Sequence, residues 1–133
     1  DDFIDYRVHE DGTIEGYSVG EKNIDNVNAG KTLFELYDLT GKEKYRKAID
    51  LVYSQIEIMP RCNNEARSFW HKDIYPNQVW LDGMYMGQPF YLEYETKFNN
   101  RKNYPDIFAQ FKYVIENMPI GCIIVDENDI ELV

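Results

Sequence analysis

Tyr45, Ala48, Ile49, Val52, Tyr53, Ile56 and Met59 recur at intervals of three and four residues. That spacing lays one apolar stripe along a helix of 3.6 residues per turn and cannot line one face of a strand. Pro60 follows at once; it has no N–H to continue the ladder, so the helix must end there. Upstream, Ile24, Val27, Leu33, Phe34, Leu36 and Tyr37 make a second apolar face. It predicts a helix from about Asn23 to Thr40, with Gly41 as its C-terminal cap. Only Thr40-Gly41-Lys42 separates the two runs, so they should pack as an antiparallel hairpin.

The pattern then repeats in outline. A third helix is predicted over about 77–98, with Pro89 inside it predicting a kink or break near Gly87. A fourth is predicted over about 104–118: Ile107, Phe108, Phe111, Val114, Ile115 and Met118 form its stripe, and Pro105 suits its first turn. Residues 61–77 read as a long connection. Residues 1–22 read as irregular, with turn signals at Asp11-Gly12, Gly16 and Gly20. The tail over 119–133 also reads as irregular, although Ile123-Ile124-Val125 is apolar enough for a short strand. The chain is therefore expected to be all-α, one domain of successive helical hairpins. Periodicity alone fits both a small four-helix bundle and a slice of a larger helical toroid.

A net charge of −10 argues against a nucleic-acid partner, whose affinity rests on Lys and Arg neutralising phosphates. It does not exclude an acidic sugar, because a local basic cluster can dominate a pocket. No apolar run reaches the roughly 18 residues that a membrane span needs, so no membrane partner is expected. The chain begins at Asp1 without methionine, from which an incomplete N-terminus is expected; with no signal peptide in the sequence, the expected compartment is the cytoplasm. Aromatics make up 15% of the residues, a share that serves either a core or the flat faces on which sugars stack.

The chemistry-bearing residues cluster in 69–86. Phe69-Trp70-His71-Lys72 and Trp80-Leu81-Asp82-Gly83-Met84-Tyr85 place a histidine, a lysine and an acid among large apolar side chains. Asp82 there is either a misfit in the core or a working group at a pocket wall. Burial against aromatics disfavours a carboxylate ion, which is how a protein makes a proton donor near neutral pH. Asp25 lies in the corresponding place at the start of the first predicted helix. Two such carboxylates can divide acid and base work, but Asp is also favoured in a first helical turn by capping and the macrodipole. His9, His71, Cys62 and Cys122 show no metal-ligand spacing. There is no Gly-rich phosphate loop and no G-x-S-x-G nucleophile motif.

Three stretches together carry a resemblance: Asn23-Ile24-Asp25-Asn26-Val27-Asn28-Ala29-Gly30-Lys31, Phe69-Trp70-His71-Lys72, and Tyr75-Pro76-Asn77-Gln78-Val79-Trp80-Leu81-Asp82-Gly83-Met84-Tyr85-Met86. In order and spacing they resemble glycoside hydrolase family 105, the unsaturated rhamnogalacturonyl hydrolases, related to the unsaturated glucuronyl hydrolases of family 88. The resemblance implies an (α/α)6 barrel, a ring of six helical hairpins of which this chain holds about two, so an incomplete ring. It implies hydration and release of the 4,5-unsaturated uronyl residue of a pectin-derived oligosaccharide, without metal or organic cofactor. Asp82 would be the proton donor and Asp25 would hold substrate or share the proton work. His71 and Lys72 would contact the sugar and its carboxylate, and Trp80 would shape the pocket. It leaves open a catalytically inactive truncated remnant, or a helical carbohydrate-binding or scaffold protein. Either way, self-association is expected through apolar faces that further hairpins would cover.

Overall fold

The computed structural model describes residues 2–117. They form helices α1 (Asp2–Arg7), α2 (Lys31–Thr40), α3 (Glu43–Ile58), α4 (Leu81–Phe98) and α5 (Tyr104–Asn117), with a short 3₁₀ turn at Val19–Glu21 and a longer 3₁₀ run at Ile24–Gly30. Among the described residues extended pairing is confined to three isolated bridges, so the all-α reading holds. The tail over 119–133, with its Ile123–Val125 strand, lies outside the described residues.

The first hairpin is α2–α3. Gly41 takes φ 67°, a left-handed conformation that a Cβ disfavours, and donates its N–H to the Tyr37 carbonyl at 2.8 Å. The α3 stripe is buried as the spacing requires, with Tyr45, Ala48, Ile49, Val52 and Ile56 all in the core. Against it lie Phe34 of α2 and Phe90 of α4, whose ring centroids are 5.0 Å apart. Tyr53 and Tyr94 stack at 3.7 Å, so much of the aromatic content serves the interior and its rim.

The second hairpin, α4–α5, turns through Asn100 and Arg101, both at positive φ. Glu95, fully buried, holds that turn closed. It accepts from Tyr53 Oη at 2.6 Å, Asn103 N at 2.8 Å and the Asn99 side chain at 3.0 Å. Burial alone would raise this carboxyl, but the bonds from Asn99, Tyr53 and Asn103 outweigh it and hold Glu95 below its ordinary range. Arg61, at the start of the long connection, grips Asp106 of α5 with two bonds of 2.7 Å, and Tyr91 Oη adds a third at 2.6 Å.

Four expectations need correction. The helix predicted over 23–40 is two segments, because 24–30 winds as 3₁₀. Ile24, Val27 and Gly30 are buried at three-residue intervals, and 3₁₀ geometry stacks such positions one above another. The third helix begins at Leu81 rather than near Asn77. Asn77 is left-handed at φ 61°, and the Gln78 carbonyl is turned back to accept from His71 N at 2.8 Å. Pro89 does not break α4, which runs unbroken from Leu81 to Phe98. Residues 1–22 are not wholly irregular: α1 is docked on α3 through Asp5, whose carboxylate accepts from Tyr45 Oη at 2.6 Å and sits 2.9 Å from Lys44 Nζ. Tyr45, Lys44 and Lys42 together hold Asp5 well below the usual carboxylate range.

Candidate active site

Asp25 and Asp82 occupy matching places, each the second residue of its segment: Asp25 in the 3₁₀ run, Asp82 in α4. Asp25 does not serve as the cap. Asn23 does that, its side chain accepting from Asp25 N at 3.0 Å. Asn23 is fixed in turn by Gln55 of α3, which donates to its carbonyl at 2.9 Å and accepts from Tyr17 Oη at 2.6 Å.

The connection 59–80 carries His71 and Lys72 to Asp25. Lys72 pairs with Asn23 in an antiparallel bridge, and Ile24 N donates to the His71 carbonyl at 2.9 Å. His71 Nε2 lies 3.0 Å from Asp25 Oδ1, and Lys72 Nζ lies 3.7 Å from Oδ2. His71 is 2% exposed, while the Asp25 side chain is 37% exposed. A buried imidazole thus backs a carboxylate whose outer side faces solvent. Asp25 also borders a cavity of about 490 Å³ that Arg7, Tyr17, Asn26 and Asn28 help to line.

Trp80 completes the wall. Its indole stacks on His71 at 4.3 Å and on Tyr75 at 5.2 Å, and its Nε1 donates to Gln78 Oε1 at 2.9 Å. The close fit depends on glycines. A Cβ at Gly83 would stand 2.9 Å from His71 Nδ1, and one at Gly87 would stand 2.7 Å from Ile24 Cγ1. Only hydrogen at both positions lets α4 come this near the 3₁₀ run and the imidazole.

Asp25, His71, Lys72 and Trp80 are therefore joined by direct contacts. Asp82 is not joined to them. It is exposed on the first turn of α4, placed beside the cluster by its neighbours Trp80 and Gly83, which do touch His71 or crowd it. The burial expected of Asp82 is absent: Trp80, Leu81 and Tyr85 beside it are themselves exposed, so they do not enclose the carboxyl. Sequence reasoning missed Tyr75, Gln78 and Gln88. Gln88 carried a signal, a polar residue at helical spacing between Met84 and Tyr91 on the buried face of α4. Among the described residues no group of three or more His, Cys, Asp and Glu stands close enough to hold a metal ion, and no helix is long and apolar enough to cross a membrane.

An acid backed by a histidine, with a second acid at the head of the next hairpin, is an arrangement suited to hydrolysis. The sequence model of Glycosyl Hydrolase Family 88 matches residues 1–121, and the chain belongs to that family. A solved glycoside hydrolase from family 105, of C. acetobutylicum ATCC 824, superposes with a TM-score of 0.81 at 49% sequence identity over 86% of this chain. The two hairpins are thus part of a six-hairpin helical barrel. This chain spans 31% of that structure's length.

Proposed function

We propose that this chain carries the acid–histidine corner of an enzyme that removes a 4,5-unsaturated uronyl residue from the non-reducing end of a pectin-derived oligosaccharide. The observation that supports it most is the His71–Asp25 pair at 3.0 Å, set beside the exposed carboxyl of Asp82. The C4–C5 double bond of such a sugar is a vinyl ether, electron-rich at C4. Asp82, protonated, gives its proton to C4, and positive charge develops at C5 and the ring oxygen. Water adds to C5 and loses its proton to the carboxylate, which restores the acid. The C5 hemiketal opens to a ketone as its ring oxygen leaves C5. The C1 hemiacetal left behind collapses to an aldehyde and frees the second sugar. One water is consumed and the protons balance.

In this reading Asp25 orients the sugar hydroxyls or the attacking water. His71 fixes the direction of that carboxylate, and Lys72 meets the uronyl carboxylate from the same side. Trp80 walls the site through its stack with His71. Because the chemistry runs through the double bond, the separation of the two carboxyls does not follow the rule for displacement at an anomeric carbon.

The exposure of Asp82 favours a second reading, a chain that folds and holds sugar without turning it over. An unsaturated rhamnogalacturonyl disaccharide tests both, with a full-length family 105 enzyme as control. Loss of the near-ultraviolet absorbance of the unsaturated uronyl group supports the first. Binding by calorimetry with constant absorbance supports the second. Neither binding nor turnover would sink both.

A further inference from the structure

A cavity of about 10 Å³ lies between α4 and the connection that carries His71, lined among others by Trp70, His71, Gly83 and Gln88. Three of its residues hold buried polar atoms with no partner among the described residues: Trp70 Nε1, His71 Nδ1 and Gln88 Oε1. His71 and Gln88 are each 2% exposed. A buried polar group without a hydrogen bond is costly, and three around one space of this size form a pattern.

Their chemistry is determined by their other bonds. A bare Nε2 only 3.0 Å from the Asp25 carboxylate would set two lone pairs against each other, so Nε2 carries the proton. In the neutral ring Nδ1 is then an acceptor. The Gln88 amide is oriented by a relay. Phe69 N donates to Gln110 Oε1 at 3.1 Å, so Gln110 presents its oxygen there. Gln88 must therefore offer its Nε2 to that same oxygen, also at 3.1 Å. Gln110 Nε2 turns to Asp106 Oδ1 at 3.3 Å. This leaves Gln88 Oε1, an acceptor, unpaired. Trp70 Nε1 is a donor only. Two acceptors and one donor match one water molecule, which donates twice and accepts once, and the cavity has room for about one.

We propose that this cavity binds a single structural water that accepts from Trp70 Nε1 and donates to His71 Nδ1 and Gln88 Oε1. Gln88 is thereby a positioning residue: through the water it orients the Nδ1 side of the imidazole and reinforces the Nε2–H tautomer that Asp25 selects. The inference rests on these atoms alone and stands whatever sugar the site takes.

The test is nitrogen-15 NMR of histidine-labelled protein at neutral pH, alongside a high-resolution crystal structure. The expected result for the unmodified chain is His71 in the Nε2–H form, its Nδ1 resonance shifted as for a hydrogen-bonded acceptor, with one density peak in reach of all three atoms. Gly83→Ala, whose methyl would enter the space beside Nδ1, and Gln88→Met should each remove the peak. Gln88→Met should also shift the Nδ1 resonance toward that of an acceptor without a hydrogen bond. An Nδ1–H tautomer in the unmodified chain would overturn the proposal, as would a dry cavity or a Gln88→Met spectrum identical to the parent's. The unmodified chain alone decides the matter should either variant fail to fold.

Discussion

Lys31 Nζ donates to the backbone carbonyl of Tyr85 at 2.9 Å, and Tyr85 is the residue whose carbonyl would otherwise accept from position 89. Pro89 has no N–H to give. The ammonium at the head of α2 thus replaces the hydrogen bond that the proline removes, and it lies 4.2 Å from the Tyr85 ring centroid as well. This explains why α4 runs through Pro89 unbroken. Burial lowers the Lys31 pKa from its ordinary value, the direction expected for a cation partly withdrawn from water.

Lys31→Met should therefore destabilise the chain by about 1 kcal/mol, the scale of an ordinary hydrogen bond, because solvent at this exposed position screens the charge. Urea unfolding measures it. Pro89→Ala in the same background should recover most of the loss, because the alanine N–H can serve the Tyr85 carbonyl in place of Lys31.

Gly87→Ala sets two effects against each other. Alanine favours a helix by about 1 kcal/mol over glycine, while forcing a methyl into a filled core costs about 1–3 kcal/mol. The new Cβ would stand 2.7 and 2.8 Å from Ile24, which is 2% exposed and has nowhere to swing. A net loss of about 1 kcal/mol is expected. Ile24→Ala combined with Gly87→Ala should lose less than the two single losses added together.

Glu95 predicts an acid dependence. Its folded pKa lies below the ordinary 4.5, so its contribution is present in full above that value and is lost as pH falls through the folded one. Glu95→Gln should lower stability near neutrality by about 1.5–3 kcal/mol, since Tyr53 and Asn103 lose a charged acceptor. The gap to the parent should narrow as the pH falls below 4.5. A constant gap across that window would assign the loss to packing.

Asp82→Asn tests the proposed chemistry. In an enzyme that carries these residues within a complete ring, it should remove nearly all turnover while leaving the circular dichroism spectrum unchanged, since the amide keeps the shape but cannot donate the proton. Asp25→Asn should be milder in kcat if Asp25 only orients. Full activity in Asp82→Asn would take that residue out of the mechanism.

Phe108, Phe111 and Ile115 lie at helical spacing on α5 and are 57%, 37% and 64% exposed. A contiguous apolar strip of this kind drives association. Sedimentation should show concentration-dependent self-association of the chain, relieved by Phe108→Ser with Ile115→Ser. A monomer at every concentration would contradict it.

The helices α3 and α5 were legible because their stripes are long and uninterrupted, and Gly41 and Pro60 punctuate the first hairpin without ambiguity. The 3₁₀ run was less so: Ile24 and Val27, three residues apart, fit a 3.6-residue period as well as a period of three over so short a window. The late start of α4 was hidden because the turns at 72–78 are fixed by bonds to distant backbone, such as Asp73 N to the Lys22 carbonyl at 3.2 Å. The site residues could be singled out by type and by family likeness. That His71 would meet Asp25 rather than Asp82 depends on the Asn23–Lys72 bridge, for which local sequence has no signal.

The 3₁₀ run that holds Asp25 rises about 2.0 Å per residue against about 1.5 Å for an α-helix, and its hydrogen bonds are the poorer in geometry. It is kept in that form from outside, by Gln55 on Asn23, by the His71 carbonyl on Ile24 N and by the glycine face of α4. Its amides should consequently exchange with deuterium faster than those of α2 although its side chains are just as buried. A peptide of residues 23–40, freed of those neighbours, should rewind toward one continuous α-helix and carry Asp25 around to a different face.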